Sequence, residues 1–223
     1  VVTVVVIEFG VMRCQPLRRA LVGEGNMEHW YRTDEVGEFI SSLRMVTKCL
    51  DSVSSDIDQW KWLTIALHNS MQGAMVMALS NGNDFRVMPD KLANKCLEAH
   101  RKDQAWPKVK MDSFPNLYKK VQSTEIMGFY VLSRALPRCD NRDFHINKLL
   151  ELRNAFIHFM PKGWSLEVSG LPDICISILK AIQFLCFSSG NINFYEKEQR
   201  EMVKTKLETA LRLSEVMRNQ YAN

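Results

Sequence analysis

The chain has 223 residues, 46% of them hydrophobic and 24% charged, with a formal net charge of +4. That length supports one substantial core, and that balance excludes a disordered chain. The charge weakly favours acidic partners but is too small to identify a nucleic-acid binder by itself.

Val1 to Phe9 is apolar and β-branched but too short to span a bilayer, and it lacks the basic leader and cleavage pattern of a secretory signal. Residues 1–28 are therefore expected to be a leader, either a short strand or a disordered segment, ahead of a single domain at 29–223. No membrane association is expected. Cys14, Cys49, Cys96, Cys139, Cys175 and Cys186 are widely spaced with no CxxC pair, which favours a reducing cytoplasm. No histidine falls in an HExxH or Cys/His spacing, so neither a metal nor another cofactor is expected.

A first helix is expected just after Thr33 or Asp34, whose side-chain oxygens suit an N-cap. Val36, Phe39, Ile40, Leu43, Val46, Thr47 and Leu50 follow at three- and four-residue steps. A second helix, from about Ile57 to Leu79, is apolar on almost every side, the pattern of a central helix. Asn81-Gly82-Asn83 supplies a turn. A short helix is predicted around Lys91 to His100, a long one over Asn116 to Leu136, and another over Asp143 to Phe159. Pro161-Lys162-Gly163 stops the last of these, and Ser165 to Val168 is a candidate extended piece. Pro172 then suits the first turn of a helix holding Ile174, Ile178, Ile182 and Leu185. A charged final helix covers roughly Tyr195 to Asn219. The expectation is an all-α, up-down bundle of five or six helices.

Arg153-Asn154-Ala155-Phe156-Ile157-His158 is the most informative run. It combines a permanent cation, suited to phosphoryl charge, with a group that moves protons near neutral pH. On a helical wheel Ile146, Leu149, Leu152, Phe156 and Ile157 form an apolar arc that includes Arg153. Asn147, Glu151, Asn154 and His158 share the opposite stripe. Arg153 and His158 then lie about 140° apart on one straight helix. Either Arg153 reaches around on its long stem, or a second copy of the helix completes the site in a homodimer. Read blandly, the same residues are a capping histidine and an arginine that closes a bundle. His68, between Thr64 and Gln72 on a polar stripe through the second helix, is either a core histidine or support for this site. Glu151 would bias the histidine or pair with Arg153 of a partner helix.

The six-residue run resembles the R-polar-x-x-x-H signature of the HEPN superfamily, and Leu152 to Glu167 is similar to a bacterial branch of HEPN-like proteins. The resemblance implies an all-α, commonly dimeric domain. It also implies metal-independent ribonuclease activity of the kind found in toxin–antitoxin, abortive-infection and CRISPR systems. By that likeness Arg153, Asn154 and His158 match the family's arginine, polar neighbour and histidine as the catalytic set. Some HEPN-like proteins are non-catalytic binders, so a scaffold role beside an antitoxin or other protein partner is the alternative.

From Lys95 to Lys120 seven basic residues face three acidic ones. Lys108, Lys110, Lys119 and Lys120 are therefore candidate RNA contacts, against the plain reading of a solvated surface. Trp164, after Gly163, would either stack on a base or pack.

Overall fold

The computed structural model describes residues 31, 33–80, 82–158, 161 and 163–222. Among them the fold is all-α, with eight helices instead of the expected five or six, and no strand. The expected extended piece at Ser165–Val168 is irregular, and the expectation for Val1–Phe9 lies outside the described residues.

The first helix, α1 (Glu35–Ser52), starts where predicted. Asp34 caps it by accepting a 2.7 Å hydrogen bond from the Gly37 amide, and Glu35 and Glu38 complement the helix dipole. Its buried face is Phe39, Ile40, Leu43, Val46, Thr47, Cys49 and Leu50. The next, α2 (Gln59–Leu79), is the axis of the domain and packs against α1, α4, α5, α6 and α7. Contact on so many sides explains why its apolar residues surround the helix. Its two buried hydroxyls bond back to their own helix: Thr64 donates to the Trp60 carbonyl at 2.7 Å, and Ser70 to that of Ala66 at 2.8 Å. Neither hydroxyl is therefore left unpaired in the core.

The remaining elements are α3 (Asp90–Arg101), α4 (Phe114–Val121), α5 (Thr124–Met127), α6 (Asp140–Ile157), α7 (Leu171–Phe187) and α8 (Lys197–Tyr221). One of the additional helices arises where a single helix was expected. The single helix expected over Asn116–Leu136 divides into α4, α5 and an irregular segment. Ser123 caps α5 by accepting from the Ile126 amide, which starts a new helix instead of continuing the old one. A Cβ at Gly128 would stand 2.9 Å from the Thr124 carbonyl. Burial is interrupted along the stretch: Leu117, Val121, Met127 and Leu136 are buried, whereas Tyr130, Val131 and Leu132 are exposed. Asn191 ties this segment down. It accepts from the Ser133 hydroxyl at 2.5 Å and donates to the carbonyls of Ala78 and Met127. Gly190 has φ +74°, and a Cβ there would lie 2.9 Å from the Leu132 carbonyl, so both conformation and space demand glycine.

Pro172 occupies the first turn of α7, as its fixed φ favours. With α8 and α1, α7 closes the bundle around Leu179, Ile182, Val203 and Leu207. No helix among the described residues is long and apolar enough to cross a membrane.

Candidate functional site

The site grows from α6 where it packs on α2. Ile146, Leu149 and Leu152 anchor α6 in the core, and their spacing sets the angle at which Arg153 leaves the helix. Arg153 is half-buried. Its Nη1 donates to the Asn154 side-chain oxygen at 3.0 Å, while its Nε is shielded from solvent and has no partner. No carboxylate among the described residues lies within ion-pair reach of it.

The nearby element of α2 is His68, which is only 3% exposed. Its ring stacks on Phe114 at a centroid distance of 4.2 Å, and its Nδ1 lies 3.4 Å from the Asn69 side-chain oxygen. Nε2 is buried without a partner. Burial drives the imidazole pKa down to about 4; the Asn69 hydrogen bond opposes this, and the positive charge of Arg153 reinforces it. The ring is neutral throughout the physiological range. A permanent cation and a neutral imidazole therefore share one corner of the core, each with an unused polar nitrogen. An anion or a hydroxyl would satisfy that chemistry.

His158 stands elsewhere on the helix. It is the C-cap of α6, is exposed, and donates its backbone N–H to the Asn154 carbonyl at 2.8 Å. Helix α6 ends at Ile157, short of the predicted Phe159. The apolar arc also stops early, since Ile157 is exposed and Phe156 only half-buried. Asn154 is exposed and holds Arg153 through its side chain and His158 through its backbone. Glu151 faces solvent and pairs with Lys148 at 2.8 Å, so within one chain it serves neither Arg153 nor His158. Trp164 is 38% exposed and rests against Phe156 at a centroid distance of 5.2 Å. That contact returns the chain beside the end of α6 and leaves part of the indole open.

The four lysines divide. Lys108, Lys110 and Lys119 are exposed. Lys120 corrects the expectation of an RNA contact: it is 7% exposed, and its ammonium meets Asp90 at 2.9 Å, Asp112 at 3.0 Å and the Met88 carbonyl at 2.6 Å. All three of its donors are spent inside the protein. Sequence reasoning also passed over Phe114, which sets the plane of His68, and Trp106 in the basic run. Trp106 is legible in the sequence as an aromatic among lysines, a signal that charge alone does not carry.

Among the described residues no three His, Cys, Asp or Glu side chains gather into a metal-binding group. Comparison with protein families, curated proteins and solved structures finds no match to this chain.

Proposed function

We propose that this chain is a metal-independent endoribonuclease of HEPN type, acting in the cytoplasm as a homodimer. The observation that carries the reading is Arg153, a half-buried guanidinium with no carboxylate partner among the described residues and a side-chain amide fixing its plane. A cation left uncompensated at such a site costs free energy that a bound phosphate returns. In this mechanism Arg153 stabilises charge on the phosphorane and Asn154 orients the guanidinium. His158 serves as general acid or base while the RNA 2′-hydroxyl attacks the adjacent phosphorus. The 5′ oxygen leaves with a proton and a 2′,3′-cyclic phosphate remains.

Arg153 turns toward α2 while His158 faces solvent, and on this reading the reacting pair is assembled from two α6 helices. Phe144, 63% exposed near the start of α6, is a large apolar side chain that such a contact would cover. Trp164 stacks on a base beside the scissile bond, and His68 holds the inner edge of the site.

Purified protein incubated with RNA in excess chelator tests this, with His158→Ala and Arg153→Ala beside it. Cleavage by the parent and at least a roughly hundredfold loss in both variants is expected. Equal cleavage by parent and variants, or none by the parent on any RNA, ends the proposal. Light scattering at micromolar concentration should show a dimer.

One observation favours a second reading, a non-catalytic scaffold beside an antitoxin or other protein: the Arg153 Nε is closed to solvent. Under it, Arg153→Ala and His158→Ala lower the melting temperature, and the parent cleaves no RNA.

A further inference from the structure

The segment that links α3 to α4 is anchored at both ends. It leaves α3 through Asp103, the only non-glycine residue with positive φ (52°) among the described residues. The Gln104 amide donates to the Ala99 carbonyl at 2.8 Å and the Asp103 amide to that of His100 at 3.2 Å, a doubly bonded helix stop that fixes the exit direction. At the other end the Asp112 amide donates to the Val87 carbonyl at 2.8 Å. Buried Lys120 joins the carboxylates of Asp112 and Asp90, so one cation ties the end of the segment to the start of α3. Between these anchors, 105–111 has no regular secondary structure and makes no backbone–backbone hydrogen bond to another described residue.

Its side chains alternate in chemistry. Trp106, Val109 and Met111 are large apolar groups left 39–44% exposed, and Lys108 and Lys110 are exposed cations between them. Trp106 is supported on one side by Phe85 at a centroid distance of 5.7 Å, which holds the indole as a platform. Fixed, half-exposed aromatics among cations are what unpaired bases and their phosphates need. The far end of the segment reaches the candidate site. The Gln72 amide of α2 lies 3.8 Å from the Met111 sulfur, and Phe114, two residues beyond Asp112, is the ring stacked on His68.

We infer that 105–111 is a single-stranded RNA track: Trp106 stacks on a base, Lys108 and Lys110 hold successive phosphates, and the strand is led toward Arg153. The inference rests on the ribonuclease reading for its substrate and deepens it, since the track selects an unpaired strand of a few nucleotides. Base stacking does not involve the ribose hydroxyl, so single-stranded DNA binds the track as well and escapes cleavage.

The test is fluorescence anisotropy with a labelled oligouridylate, using full-length protein that carries His158→Ala to prevent cleavage. Adding Trp106→Ala should weaken binding roughly tenfold or more. Trp106→Phe should recover most of the affinity, which separates stacking from loss of fold. Lys108→Gln with Lys110→Gln should reduce the log–log salt slope by about 1.4, near 0.7 for each phosphate no longer neutralised. Duplex RNA bound as tightly as the single strand, or affinity and salt slope unchanged in these variants, overturns the track. If oligomers bind as described while the parent cleaves no RNA, the ribonuclease reading fails and the track stands. If the parent cleaves RNA but Trp106→Ala neither binds nor cleaves differently, the track fails alone.

Discussion

Lys120 and Arg153 are two cations drawn into the same domain, and the protein treats them in opposite ways. Lys120 is surrounded: two carboxylates and a carbonyl accept its three donors at 2.6–3.0 Å. Arg153 has five donors, of which one is matched among the described residues, by the neutral oxygen of Asn154, and its neighbour His68 is uncharged. A fully compensated cation fastens elements together. An uncompensated one keeps its field available for something that arrives from outside. The contrast assigns Lys120 to architecture and makes Arg153 the better candidate for chemistry.

Replacement of each cation by methionine tests this contrast most directly. Lys120→Met strands the Asp112 carboxylate in a buried position, and a loss of about 3 kcal/mol is expected, as for other broken buried pairs. A calorimetric or urea melt would show it as a fall of roughly 6–12 °C in Tm. Arg153→Met should leave Tm unchanged or slightly raised, because it removes an unpaired buried Nε and leaves no opposing charge behind. Equal destabilisation by the two substitutions would erase the distinction.

Acid stability probes the Arg153 side of the contrast. The folded His68 pKa is lowered from 6.5 to about 4, so below pH 6.5 the unfolded chain binds the extra proton first. Stability is then lost as the pH falls from about 6.5 to about 4, by on the order of 3 kcal/mol in all. His68→Phe should flatten that limb of a Tm-against-pH curve, and a limb of unchanged slope would place the titration elsewhere.

On the Lys120 side a smaller effect is expected at more acid pH. Burial alone would raise the Asp112 pKa, but hydrogen bonds from Asn116, Lys120 and the Ser113 amide outweigh it and lower it below 3.8. A depressed carboxylate stabilises the fold above its unfolded pKa, and the contribution disappears as the pH falls through the folded value. Lys120→Met should move that loss to higher pH, visible as an earlier acid transition in circular dichroism.

The exposed pair Lys148–Glu151 supplies the small end of the scale. Both side chains are largely in water, so Glu151→Gln should change stability by less than about 0.5 kcal/mol. On the ribonuclease proposal, RNA cleavage should also survive it unless Glu151 meets Arg153 across a dimer. A large loss of activity with unchanged Tm would show that it does.

The helical class and most helix boundaries were legible in the residues alone. Period and capping chemistry are local, so Asp34, Pro172 and the all-round apolar pattern of α2 carried their meaning without tertiary help. The apolar spacing of α6 likewise put Arg153 at the edge of the buried face, whereas His158 falls just past the helix end, where the wheel no longer sets its direction. Local pattern failed at 122–136, where Ser123 and Gly128 divide one expected helix and Asn191, distant in sequence, clamps the result. Tertiary packing was needed to separate Lys120 from Lys119. The two are adjacent and chemically alike, but a cation's role depends on which carboxylates stand within about 4 Å, and Asp90 and Asp112 reach Lys120 through the packing of α3 and α4. The same packing brought Phe114 onto His68 and Met111 onto Gln72, and so carried the basic segment to the site. Burial, compensation and proximity are relations between distant parts of a chain, and they acquire values only when it folds.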